Sequence, residues 1–186
     1  METIKDENGN IIMAHNKIGD ATGGHGSSVI ASVGNSKGGD CSSVRIWKGD
    51  AEGGYGSSVT AYKGNAIGGY DSSVRTYEGN ATGGNNSSVR VEIGDAKGGC
   101  GSAVRTGEGK ATCGDCSLAM GTSVVLGENS VGGILEEVGG VMKLVKVVVN
   151  GDVEIVKYED YIKDNKQEMT LEEVCKELGR NIKIIK

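Results

Sequence analysis

The chain has 186 residues and a net charge of −5, with 33 glycines, no proline, no phenylalanine and one tryptophan. Only 4% of it is aromatic, too little for a conventional core. Glycine at this level without a three-residue period excludes collagen, and without proline or long polar tracts it argues against simple disorder.

The first segment, METIKDENGN, is polar and charged, which is not the pattern of a signal peptide. Thr3-Ile4-Lys5 and Ile11-Ile12-Met13 flank Asn8-Gly9 and predict a hairpin. Residues 1–18 are therefore expected to form an N-terminal cap.

From Gly19 the chain repeats every 15 residues, with units opening at Gly19, Gly34, Gly49, Gly64, Gly79 and Gly94 and a worn copy at Gly109. The second position is Asp or Asn, the third Ala or Ser, and the fifth and sixth are Gly-Gly. Positions nine to eleven read Ser-Ser-Val five times and Ser102-Ala103-Val104 in the sixth unit. Helical repeats need about 33–47 residues to hold two helices and their turns. The observed period suits one rung of a parallel β-solenoid, and a mainly β fold is expected over residues 19–123. Asp or Asn after Gly is turn chemistry, and Gly-Gly is expected to supply positive φ at a corner. Alternation along positions nine to fourteen assigns the faces. The Val column from Val29 to Val104, the thirteenth position and the third-position Ala column are expected to face inward. Such a core is thin: burial is worth about 2–4 kcal/mol per rung, most of it offset by the entropy of ordering fifteen residues.

Residues 124–186 read as a small α+β cap or docking module. Val141 to Val149 and Val153 to Tyr158 flank Asn150-Gly151, a hairpin signal. Thr170-Leu171-Glu172-Glu173 opens a short helix that Gly179 ends. The most apolar run, around Val141 to Val149, is interrupted by Lys143 and Lys146, so no membrane span is expected.

Stacked rungs turn the period into surface columns. The twelfth position carries Arg45, Arg75, Arg90 and Arg105, and the fourteenth carries Trp47, Tyr62 and Tyr77. Tyr55 and Tyr70 add aromatics near the Gly-Gly corner. Arg and aromatic residues are enriched at binding hot spots and can also stack on sugars or nucleotides. The same pattern would also serve a solvated sheet face held by cross-rung stacking, with Glu78, Glu92 and Glu108 as counter-charges. The tenth-position Ser column is read as turn and edge hydrogen bonding.

No catalytic set is visible. There are two His, and no nucleophile, base and acid come together in a motif. Cys113-Gly114-Asp115-Cys116 is a lone CxxC without a second ligand pair, so neither zinc nor redox chemistry is expected, and packed free thiols are. Five Cys at irregular positions without an export signal fit reduced thiols in a cytosolic setting. The Gly-rich turns lack the Asp of calcium-binding nonapeptides and the Lys-Ser/Thr of a phosphate-binding loop. No cofactor is expected.

Ser87-Ser88-Val89 through Gly94-Asp95-Ala96-Lys97-Gly98, and Ser117-Leu118-Ala119-Met120-Gly121 with Ser123-Val124-Val125-Leu126-Gly127, resemble the head repeats of trimeric autotransporter adhesins. Similar Gly/Ala/Ser arrays occur in uncharacterised bacterial and phage proteins. The resemblance covers roughly residues 19–130. It implies a left-handed β-roll, trimeric in those adhesins, in a non-enzymatic protein. The chain departs from that family in lacking its signal peptide, stalk and anchor, and in carrying Arg at the twelfth position.

The function expected is therefore a non-enzymatic binding or structural module, phage- or mobile-element-encoded, that presents the Arg/aromatic ladder to a protein or glycan partner. It would act in the host cytoplasm or on a virion, as a monomer or a homo-oligomer (dimer or trimer). The net charge gives no electrostatic reason for nucleic-acid binding. Alternatives are an inhibitor that blocks a host defence protein or nuclease, and a module that sequesters a nucleotide on its Arg ladder.

Overall fold

A computed structural model describes residues 2–5 and 11–150. The described chain is all β: β1 (Glu2–Lys5), β2 (Ile11–Ile18), β3 (Ala21–Thr22), β4 (Ser28–Val33), β5 (Ser36–Lys37), β6 (Ser43–Lys48), β7 (Ala51–Glu52), β8 (Ser58–Lys63), β9 (Ala66–Ile67), β10 (Ser73–Glu78), β11 (Ala81–Thr82), β12 (Ser88–Ile93), β13 (Ala96–Lys97), β14 (Ala103–Glu108), β15 (Lys110–Thr112), β16 (Leu118–Gly121), β17 (Ser123–Val125), β18 (Val131–Val138) and β19 (Val141–Val149). They form a parallel β-solenoid. Each rung gives one long strand to an eleven-stranded sheet and one short strand to an eight-stranded sheet.

The register is the repeat itself. Val74 stands beside Val59 and Val89, and Ala81 beside Ala66 and Ala96. The core sits where alternation puts it. Val29, Val44, Val59, Val74, Val89 and Val104 are at most 2% exposed, with Ile46, Thr76, Val91 and the third-position Ala column buried against them. One column escaped the sequence reading. The ninth-position serines are buried, and Ser42, Ser57, Ser72 and Ser87 each donate to the carbonyl of the sixth-position Gly three residues back, at 2.6–2.7 Å. These bonds close the corner from inside. The tenth-position serines Ser43, Ser58, Ser73 and Ser88, expected to bond at turns and edges, face solvent.

The Gly-Gly pairs act differently from expectation. Positive φ falls at the first position, at 108–142° from Gly19 to Gly109, and at the eighth, at 52–67° from Gly26 to Asn129. The Gly-Gly pairs are not among the positive-φ residues; they are there for close approach. A Cβ on the fifth-position Gly would meet the Val Cγ2 of its own rung at 2.6–2.7 Å. A Cβ on Gly39, Gly69 or Gly84 would lie 2.8–2.9 Å from the backbone of the rung below. The corner is too tight for any side chain there.

The ends depart from the period. β1 pairs antiparallel with β2, in the register Glu2↔His15 to Lys5↔Ile11, and β2 joins the stack parallel to β4. The turn at Asn8-Gly9 lies outside the described residues. At the other end the rung from Gly109 is two residues short: Leu118 pairs with Val131, 13 residues on, and Lys110 with Ser123. The residues lost are the fourteenth and fifteenth positions. Parallel pairing runs on to Ile134. β18 then turns through Gly139-Gly140, both at positive φ (65° and 79°), into antiparallel β19. A two-residue loop with two positive φ values matches the primed turns that fit strand twist. The run Val141 to Val149 thus pairs backward onto Val131–Val138. The Val153 to Tyr158 strand, the 170–179 helix and Cys175 lie outside the described residues.

Candidate functional site: the outward face of the larger sheet

Positions twelve and fourteen of each long strand point away from the core, and the register makes them columns. Trp47, Tyr62 and Tyr77 stack: ring centroids are 4.1 Å apart at 16° for the first pair and 5.3 Å apart at 20° for the second. Rungs lie about 4.8 Å apart, so near-parallel rings at that spacing turn their faces toward one another along the column. Each such pair adds about 0.5–1.5 kcal/mol beyond its burial. The rings stay 40–56% exposed, showing edges and hydroxyls to solvent. Two ring faces are left over, that of Trp47 toward Ser32 and that of Tyr77 toward Glu92.

Arg45 and Arg75 flank this stack. With Ile30, Ser32 and Thr60, they and the three rings line an open depression over the floor formed by Ala31, Ile46 and Ala61. Of the residues the sequence singled out, Arg45, Trp47, Tyr62, Arg75 and Tyr77 thus come together. Ile30 and Thr60 stand in the same twelfth column and Ser32 in the fourteenth, and they complete the wall of the depression. Arg90 and Arg105 continue the twelfth column on β12 and β14. Tyr55 and Tyr70 do not join; they sit at the Gly-Gly corner, at the other end of the strands from the fourteenth column.

Counter-charges on this face are sparse. Glu92 lies 3.8 Å from Arg90, and Glu78 pairs with Lys63 at 2.9 Å. Among the described residues, Arg45, Arg75 and Arg105 make no ion pair. The Lys63 ammonium is held above its ordinary pKa by its hydrogen bond to Glu78 and by that carboxylate's charge. The Tyr55 phenol is raised by its hydrogen bond to Asp71, then by the charge of Asp71. Both groups have folded values above the unfolded ones. Any stability they add is complete below pH 10 and fades only above it, so neither responds near neutrality.

The remaining columns are structural. At the second position, Asp20, Asn35, Asp50, Asn65, Asn80 and Asp95 each accept the backbone N–H of the equivalent residue one rung on, at 2.8–3.2 Å. Asp40, Asn85 and Asp115 do the same at the other corner. Of the CxxC pair, Cys113 is buried and Cys116 is exposed, so only the first is a packed thiol. Among the described residues no group of three His, Cys, Asp or Glu is placed to hold a metal. Comparison with protein-family models, with curated proteins and with solved structures finds no match for the chain.

Proposed function

We propose that this β-solenoid is a non-enzymatic binding module whose outward face on the larger sheet engages a protein or glycan partner. The observation that carries the reading is the Trp47–Tyr62–Tyr77 stack with Arg45 and Arg75 beside it, neither of which makes an ion pair among the described residues. Rings locked in a stack and backbones locked in a ladder lose little freedom on binding, so a contact made there keeps most of its energy. Aromatic and Arg side chains at the centre of one face also match the composition of binding hot spots.

The test compares the wild-type chain with Arg75→Ala/Tyr77→Ala in affinity capture with identification by mass spectrometry, and on a glycan array. Both sites are exposed, so thermal stability should fall by only a few degrees. The variant is expected to lose its specific partner or glycan signal at least tenfold. Equal binding by the variant would remove this face from recognition.

A further inference from the structure

The fourteenth column has a step. In rungs two to four it carries Trp47, Tyr62 and Tyr77, and in the first rung it carries Ser32, opposite Trp47 by the register Ala31↔Ile46 and Val33↔Lys48. One rung further, by the register Asn16↔Ala31 and Ile18↔Val33, stands Lys17. The outer face of Trp47 therefore looks across a single small residue toward a lysine. Two rung spacings separate Trp47 from Lys17, about 9.6 Å. A flat ring needs about 3.5 Å of contact distance on each side, so one ring fits between them and two do not. Ile30 and Ser32 would lie beneath it, and both line the depression that Arg45 enters from the side.

The charge around this step is of one sign. β2, β4, β6 and β8 carry Lys17, Arg45, Lys48 and Lys63 and no carboxylate. Asp20 and Asp50 stand at the next corner, where their side chains accept backbone N–H groups one rung on, and Glu78 pairs with Lys63. A protein of net charge −5 thus gathers Lys17, Arg45 and Lys48, none of them in an ion pair among the described residues, beside one open indole face. A neutral sugar would leave these cations without a partner. A ligand with ring and negative charge in one small molecule satisfies both features.

We infer that the step at Ser32 is a binding slot for a nucleotide. The base continues the aromatic stack on Trp47, with the Lys17 ammonium toward its far face, and the phosphate meets the Arg45 guanidinium. This rests on the reading of the face as a recognition surface and names what its aromatic end holds.

Trp47 is the sole tryptophan, so its emission reports on the slot directly. The probes are AMP, adenosine and inorganic phosphate, with excitation at the red edge of indole absorption. AMP is expected to quench the emission saturably, adenosine to bind about tenfold more weakly, and phosphate alone to leave the emission unchanged. Two variants borrow residues that neighbouring rungs already accept at the same position. Ser32→Tyr, which fills the step as Tyr62 and Tyr77 fill theirs, is expected to abolish AMP quenching. Arg45→Thr, which copies Thr60, is expected to weaken AMP about tenfold and leave adenosine unchanged. No quenching by AMP, or wild-type AMP binding by Ser32→Tyr, overturns the inference. If AMP fails while Arg75→Ala/Tyr77→Ala still loses its partner, the slot falls and the recognition face stands.

Discussion

At the scale of single residues, the worn seventh unit explains the six good ones. Every fifth-position Gly is hemmed in by the Ser and Val of its own rung, yet at this position the seventh unit holds Cys113, which is buried. One change makes room: the eleventh-position Val has become Ala119. Ser117 turns its hydroxyl to the Gly99 carbonyl of the rung below (3.2 Å) and to the Asp115 carbonyl (2.9 Å), but Ser102 turns the same way in a rung that keeps Gly98 and Val104. Volume is moved across the core rather than lost. The same exchange should work in a central rung. Gly68→Ala alone drives a methyl to 2.6 Å from Val74 Cγ2 and should destabilise by about 1–3 kcal/mol. Val74→Ala alone leaves a void and should destabilise by about 2 kcal/mol. The double variant should lose less than the sum by about 1 kcal/mol or more, because each change relieves the other. Urea titrations of the four proteins measure the coupling, and strict additivity would refute the account.

At the scale of elements, the sequence was most legible where chemistry is local and periodic. The Val and Ala columns, the strand phase and the rung length follow from alternation and period alone. What stayed hidden was contact between rungs. Asp or Asn after Gly reads as a turn signal, and within one rung it is; its side chain, however, bonds to the next rung, 15 residues away. Gly-Gly reads as positive φ, whereas the positive angles fall at the first-position Gly and two residues beyond the pair, at residues as varied as Cys41, Asp71 and Asn86. The Gly139-Gly140 turn that pairs the valine-rich strand back onto Val131–Val138 carried no signal in the sequence beyond two adjacent glycines. The aromatic stack could be drawn from the period, but the slot proposed at Ser32 depends on the register that places Lys17 beyond it. The corner ladder also shows an ordering rule: from Asp20 to Asp95 no two Asp occupy adjacent rungs. Carboxylates one rung apart would repel, and Asn65 instead donates to Asp50 at 3.1 Å while accepting from Asn80. Asn65→Asp should therefore cost about 1 kcal/mol, with the loss shrinking as salt rises to 1 M and the Debye length falls to about 3 Å. Melting curves at low and high salt distinguish this from a loss of packing, which salt would not restore.

At the scale of the whole molecule, each rung touches only its neighbours, so stability should be a sum of rung and interface contributions. The 13-residue rung from Gly109 shows where that sum tolerates a change. The shortening removes the fourteenth and fifteenth positions, the outward end of the long strand, and leaves the buried columns in register, with Ala111 beside Val124 and Ala119 beside Gly132. What the solenoid conserves is therefore the phase of its inward-facing columns, and length is free only where that phase survives. Deleting residues 64–78 removes one whole period, joins Lys63 to Gly79 and keeps every column continuous. That protein should keep the β-sheet far-UV spectrum, with a lower denaturant midpoint. It also loses Arg75 and Tyr77, so the partner binding proposed above should go, while quenching of Trp47 by AMP, which depends on rungs one and two, should remain. Deleting residues 64–71 removes only half a period. It sets the eleventh-position valines of later rungs against the wrong side of earlier ones, and the backbone ladder cannot bridge the break. This shorter deletion should unfold despite removing fewer residues. If the two deletions prove equally stable, or equally unfolded, the molecule is not the stack of independent rungs that its register implies.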